Sequence, residues 1–188
     1  MHSEALVICA LALGEVVAGW GGHVVSDYQS RLEACEEVAE RASDYGVPQS
    51  LAVSLGMQES GFVASTRSKV GAIGPLQVMP QHHCPERQAQ GCDLVEAGFV
   101  ALKKYALEYG CGPEVQTRVR AARHQGRRQY LQSVLIDEPF CPNPDWATTL
   151  CHYAGGQKCY SKGRGYAKSI LKRADSLDKQ MRAMLLAR

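Results

Sequence analysis

A mainly α-helical fold is predicted by three features of this sequence. Past residue 27, apolar residues return at every third or fourth position, glycines and prolines stand where helices would end and begin, and neither an internal repeat nor a low-complexity tract interrupts the pattern. A chain of 188 residues encloses one sizeable core without calling for a second. Its 45% hydrophobic and 21% charged residues match ordinary globular usage and exclude a tail-like disordered chain.

The chain starts with an apolar run from Ala5 to Leu13, then Gly14 and Glu15, with Val16-Val17-Ala18 offering residues that a signal peptidase accepts. The run is far below the roughly 20 residues that cross a bilayer, so no stable membrane span is expected. Residues 1–18 read as a possible export signal and residues 19–188 as the folded domain. No Lys or Arg precedes the run, so an uncleaved hydrophobic N-terminal helix stays open beside it.

From Tyr28, the residues Leu32, Cys35, Ala39 and Ala42 recur at helical spacing among Glu and Arg, and Gly46 ends that helix. Pro48 suits the first turn of a second helix, where its missing N–H has no partner to lose, and this helix runs to about Glu59. Asp93 and Glu96 form a capping-box-like start for Leu94, Ala97, Leu102, Tyr105 and Tyr109, with Gly110 as the stop. An Arg-rich helix follows, weakened near Gly126. Asn143 and Pro144 are a cap and first-turn pair before Trp146, Leu150 and Tyr153. A last helix aligns Tyr166, Ile170, Ala174, Leu177, Met181 and Leu185. Residues 60–92, rich in Gly, Pro, Ser and Gln, form a long irregular segment, and such segments inside compact domains are usually functional.

The eight cysteines suit an oxidising compartment better than a reducing cytosol. Cys84 with Cys92, and Cys151 with Cys159, bracket short loops, and Cys111 with Cys141 a longer one, but sequence alone leaves the connectivity open. Cleavage that removed Cys9 would leave an odd number, with Cys35 a candidate for the unpaired thiol. His82, His83, Cys84 and Cys92 are all potential ligands but lack the paired spacing of structural zinc sites, so no metal is expected. A net charge of +2 does not point to nucleic acid, and no aromatics interleave the basic stretch to stack bases. Arg118, Arg120, Arg123, Arg127 and Arg128 read as a solvated helix face, or, with Arg120, Arg123 and Arg127 at i, i+3, i+7, as a stripe attracting an anionic wall polymer.

Leu51, Leu55 and Glu59 lie at i, i+4, i+8, so the second helix ends its apolar stripe on a carboxylate. An isolated Glu there would be a frayed helix end in water. Directly after Glu59 stand Ser60-Gly61-Phe62, then Ser68, then Gly71-Ala72-Ile73-Gly74-Pro75-Leu76-Gln77-Val78-Met79-Pro80, with glycines that permit tight turns and a Gln77 that both donates and accepts.

Glu59-Ser60-Gly61-Phe62, Gly71-Ala72-Ile73-Gly74 and Gln77-Val78-Met79-Pro80 resemble, in residue type and order, the soluble lytic transglycosylase (SLT) domain family of the lysozyme-like superfamily. Tyr153-Ala154-Gly155-Gly156 approximates the family's Tyr-Asn-Ala-Gly motif, so the resemblance covers roughly residues 27 to 180. Two departures stand out: Pro75-Leu76 replaces a Leu-Met pair, and Ala154 replaces the Asn, removing an amide that could orient Tyr153 or the substrate.

The resemblance implies a mainly α, lysozyme-like single domain with a substrate groove and a long active-site loop segment. It implies Glu59 as catalytic acid and base, and Ser68, Gln77, Met79 and Tyr153 as substrate-binding groove residues. From the residues alone, Gln77 could instead satisfy loop backbone, Met79 fill the core beside Phe62, and Tyr153 be a core aromatic. The implied partner is the glycan strand of peptidoglycan, the implied location exported (periplasmic or extracellular) or virion-associated, and no cofactor is expected.

A glycosidase that consumes water needs two carboxylates, whereas a lytic transglycosylase needs one. Its proton donor must stay protonated, which an apolar wall of Phe62, Met79 and Tyr153 would favour. The expected reaction cleaves the MurNAc-GlcNAc β-1,4 bond and leaves a 1,6-anhydro end. The alternatives are a goose-type-like lysozyme, with Asp93, Asp137 or Asp145 as second carboxylate, and a non-catalytic cell-wall-binding or virion structural protein.

Overall fold

The computed structural model describes residues 4–19, 27–124, 126 and 140–187, which are mainly helical and contain no strand. Arg127, Arg128 and Asp137 lie outside the described residues. The chain divides into two compact units, Met1–Gly98 with Ile170–Arg188, and Phe99–Ser169.

In the first unit, α1 (Glu4–Gly19), α2 (Tyr28–Asp44) and α3 (Gln49–Glu59) pack against one another in all three pairings. α1 contributes Ala5, Ile8, Cys9, Ala12 and Leu13, and α2 contributes Cys35, Val38, Ala39 and Ala42. These are the i, i+3, i+4, i+7 positions of a core-facing stripe. In α3 every residue from Ser50 to Gly56 is buried, so this helix is enclosed on all sides rather than on one. Burying Leu51 and Leu55 contributes about 1.5–3 kcal/mol each. The boundaries are local: Gly46 takes φ 63°, which turns the chain after α2, and Pro48 stands one residue ahead of the first turn, as the cap of α3.

The segment after α3 is a set of turns joined by two single bridges, Arg67 to Ile73 and Ile73 to Val78, followed by the four-residue α4 (Pro80–His83). Asp93 then caps α5 (Leu94–Tyr105): its Oδ1 accepts from the backbone N–H of Val95 at 3.1 Å and of Glu96 at 2.9 Å. The reciprocal half of a capping box is absent, because the Glu96 carboxylate accepts from the Tyr45 hydroxyl at 3.4 Å.

In the second unit α5 runs into a π-turn, Ala106–Gly110, and Gln116 closes the following corner by donating to the carbonyls of Tyr109 and Cys111. α6 (Pro113–His124) carries Arg118, Arg120 and Arg123 on its exposed side and Val119 and Ala122 inward. Gly126 takes φ 119°, beyond the helix. α7 (Trp146–Gly155) begins two residues later than Asn143-Pro144 predicts. Asp145 is the cap, its carboxylate accepting from the Thr148 N–H at 3.1 Å and the Thr148 hydroxyl at 2.6 Å, which outcompetes the Asn143 amide. In α8 (Ser161–Leu186) the stripe buries Ile170, Ala174 and Leu177, while Leu185 is exposed because the helix outruns what it packs on.

Cysteine pairs join Cys9 to Cys35, Cys84 to Cys92, Cys111 to Cys141 and Cys151 to Cys159. The three loop-closing pairs stand as their spacing suggests, and Cys35 takes Cys9 of α1 as partner. With Cys84 and Cys92 bonded to each other, neither offers a thiolate to a metal. Among the described residues no helix is long and apolar enough to cross a membrane.

Candidate active site

Glu59 is the last residue of α3, half-buried at the end of a helix whose preceding turns are enclosed. An enclosed helix cannot rotate or slide without opening the core, so the position of this carboxylate is set by packing. The next residue fixes what lies beside it. Ser60 donates its hydroxyl to the Pro75 carbonyl at 2.9 Å and accepts from the Phe62 N–H at 3.0 Å, tying the helix end to the Gly71–Pro80 loop. From α2, Arg31 donates to the Gly61 carbonyl at 3.2 Å.

Between α3 and α4 two non-glycine residues hold left-handed backbone, Phe62 at φ 64° and Gln77 at φ 48°. Such a conformation costs roughly 1–2 kcal/mol and persists only where the surroundings compensate. Phe62 is compensated by burial: its ring lies on Gly56, where a Cβ would come within 2.6 Å of Cζ. Gln77 is compensated by its own side chain, whose Nε2 donates to the carbonyls of Thr66 at 3.0 Å and Gly74 at 3.1 Å. Two carbonyl neighbours also fix which end of the amide is nitrogen. The amide nitrogen is thus committed to the loop, and the carbonyl oxygen is the end that can serve a ligand.

Ser68 belongs to the same turn. Its N–H donates to the Ala72 carbonyl at 2.9 Å, and its Oγ accepts from the Ala72 N–H at 3.0 Å. Leu76, at a position where the motif departs from the family, is fully buried against Gly98 of α5, where a Cβ would meet Leu76 Cβ at 2.8 Å. Met79 is half-buried and accepts at its carbonyl from the N–H groups of His82 and His83. Glu59, Ser68, Gln77 and Met79 therefore belong to the first unit, the first three linked through one turn system. Tyr153, half-buried near the end of α7, belongs to the second.

The rival carboxylates have structural employment. Asp93 caps α5 and pairs with Arg41 at 2.8 Å, and the Glu96 N–H, with Arg41 and Val95 adding to it, holds its carboxyl below the usual range. Asp145 is likewise held low, first by the Thr148 hydroxyl. In the second unit Glu108 is 5% exposed, and burial pushes its carboxyl up despite Lys104 and Arg123 nearby.

Sequence reasoning named Ser60 only as motif context, and it missed Gly56 and Gly98. A glycine inside a helix costs about 1 kcal/mol relative to alanine, which was the signal that something lies close to each.

Among known protein families, the Transglycosylase SLT domain matches residues 36–175, about three quarters of the chain. No curated protein and no solved structure matches it.

Proposed function

Since the chain belongs to the Transglycosylase SLT domain family, whose activity is on peptidoglycan, we propose that it is a lytic transglycosylase cutting the MurNAc-GlcNAc β-1,4 bond with Glu59 as its acid and base. The observation that carries this is the placement of Glu59: a half-buried carboxyl at the end of an enclosed helix, joined through Ser60 to the loop of Ser68 and Gln77.

The Glu59 carboxyl gives its proton to the glycosidic oxygen as the C1–O bond breaks. The substrate's N-acetyl oxygen stabilises the positive charge left at C1. The Glu59 carboxylate then takes the proton of the muramic acid's 6-hydroxyl, whose oxygen bonds to C1. The anhydro ring closes, Glu59 is protonated again, and no water is consumed. One carboxyl serves both steps because the acceptor is part of the substrate. Ser68, the Gln77 carbonyl oxygen, Met79 and Tyr153 are the substrate-binding residues that the family resemblance names. Asp93 and Asp145 are poor second carboxylates, since helix N–H groups and hydroxyls occupy their oxygens.

The four cysteine pairs fit an oxidising compartment, and we place the enzyme there, periplasmic, extracellular or virion-associated, with the N-terminal helix kept uncleaved because its Cys9 pairs with Cys35.

Digestion of purified sacculi followed by mass spectrometry tests the reaction: muropeptides with anhydro ends are expected, and reducing ends would instead establish hydrolysis. Glu59→Gln is expected to lower glycan release about a thousandfold at unchanged melting temperature. Release at the wild-type rate would remove Glu59 from the chemistry.

A further inference from the structure

Four rings of the second unit form a circuit of three ring contacts and one chain link. Tyr109 lies face to face on His152, ring centroids 3.7 Å apart and planes 4° from parallel. Tyr105 stacks beside Tyr109 at 6.4 Å and sets its edge against Tyr153 at 6.2 Å and 74°. His152 and Tyr153 are neighbours in α7, while Tyr105 precedes the π-turn and Tyr109 lies within it, a geometry frequent at functional sites.

The circuit is anchored on both sides. The Asp145 N–H donates to the Gly110 carbonyl at 2.8 Å, and Gly110 lies so close to Thr149 that a side chain there would collide with its hydroxyl. His152 Nδ1 lies 2.8 Å from the Gly156 carbonyl, and the Gly156 N–H donates to the His152 carbonyl at 2.7 Å, which closes the end of α7. Burial pushes the Tyr109 hydroxyl up, and the neighbouring Glu108 carboxyl adds to the rise. Ala154, beside Tyr153, is exposed and brings no polar group to hold the motif.

We propose that Tyr105 clamps Tyr153 and is itself braced by the Tyr109–His152 stack, the three being positioning residues that supply by ring packing the orientation an amide at position 154 would have given. The proposal rests on the reading of Tyr153 as a groove residue. Orientation of a binding side chain acts on rate steeply, since misplacements near 1 Å cost up to about a hundredfold.

The test combines kinetics on sacculi with NMR of 13C-labelled tyrosine in the full chain, the Tyr153 signal assigned with Tyr153→Phe. Tyr109→Leu, which keeps apolar bulk, and His152→Ala are each expected to lower kcat/KM about tenfold and to move the Tyr153 ring signal towards its solvent-averaged position. Tyr109→Phe, which keeps the stack, is expected to recover most of the loss, and Tyr109→Leu with His152→Ala to cost little more than either alone. A Tyr153 signal unmoved in folded Tyr109→Leu, or activity losses that only follow melting temperature, overturns the clamp. If the wild-type protein releases no glycan, the proposed function fails, and the Tyr153 signal still decides whether the clamp exists.

Discussion

The turn system around Glu59 and the ring corner around Tyr153 reach fixed geometry by different physics. The first is built from small residues and backbone: glycines at 56 and 98 let Phe62 and Leu76 seat on helices, and hydrogen bonds from Ser60 and Gln77 hold the turns. Its precision comes from close contact and is indifferent to charge. The second is built from large rings around a buried acid, with Glu108 under Tyr109 and His152 stacked above. Its contacts are broad, and its buried carboxyl links it to pH. Substitutions should therefore injure the two regions in different ways.

The largest effect on stability is expected where the loop seats on α5. Gly98→Ala places a methyl group 2.8 Å from Leu76 Cβ, and relieving that overlap costs about 1–3 kcal/mol, offset by up to about 1 kcal/mol of helix propensity. Denaturant unfolding should show the loss, and glycan release should fall with it because Gln77 follows Leu76. Wild-type stability would mean that the loop yields and is not held by this contact.

A smaller loss is expected at the entrance to α7. Asp145→Ala removes a cap worth about 1 kcal/mol, and Asp145→Asn should retain most of it. Equal midpoints for Ala and Asp would show that the Gly110 carbonyl alone sets the start of the helix.

The subtlest difference is one of slope. Burial raises the Glu108 carboxyl above its unfolded value, so the native state holds this proton more tightly than the unfolded chain does. The stability it contributes is present below the unfolded value and lost as pH rises through the folded one. Asp93 and Asp145 run the other way: their lowered carboxyls favour the native state above the unfolded value and lose that advantage as acid protonates them. Stability measured from pH 4 upward should fall less in Glu108→Gln than in the wild type. Identical slopes would show that water reaches Glu108.

The two regions also differ in what could be read beforehand. The helix ending at Glu59, the cap at Asp93 and the turn glycines were legible because each is specified by residues adjacent in sequence. Pairing of Cys84 with Cys92, and of Cys151 with Cys159, was legible for the same reason. Asn143 and Asp145 are nearly equal cap candidates in sequence, and the Asp145 bonds to Thr148, with its N–H bond to the distant Gly110, decide for Asp145. Nor does any local pattern bring Tyr109 onto His152, since the π-turn that aims it departs from helical periodicity and the stack joins residues 43 apart. For Gln77, the bonds of its amide nitrogen to Thr66 and Gly74 give the side chain a loop role that no local pattern specifies.

The cysteine pairs give the fold a history as well as a shape. Each closed pair narrows the unfolded ensemble, typically by about 2–4 kcal/mol, and four of them together rival the roughly 5–15 kcal/mol that separates folded from unfolded in common domains. Before oxidation α1 is held to α2 by packing alone, and the scaffold behind Glu59 lacks its first staple. The support behind Glu59 is therefore completed by an oxidant and not by folding alone.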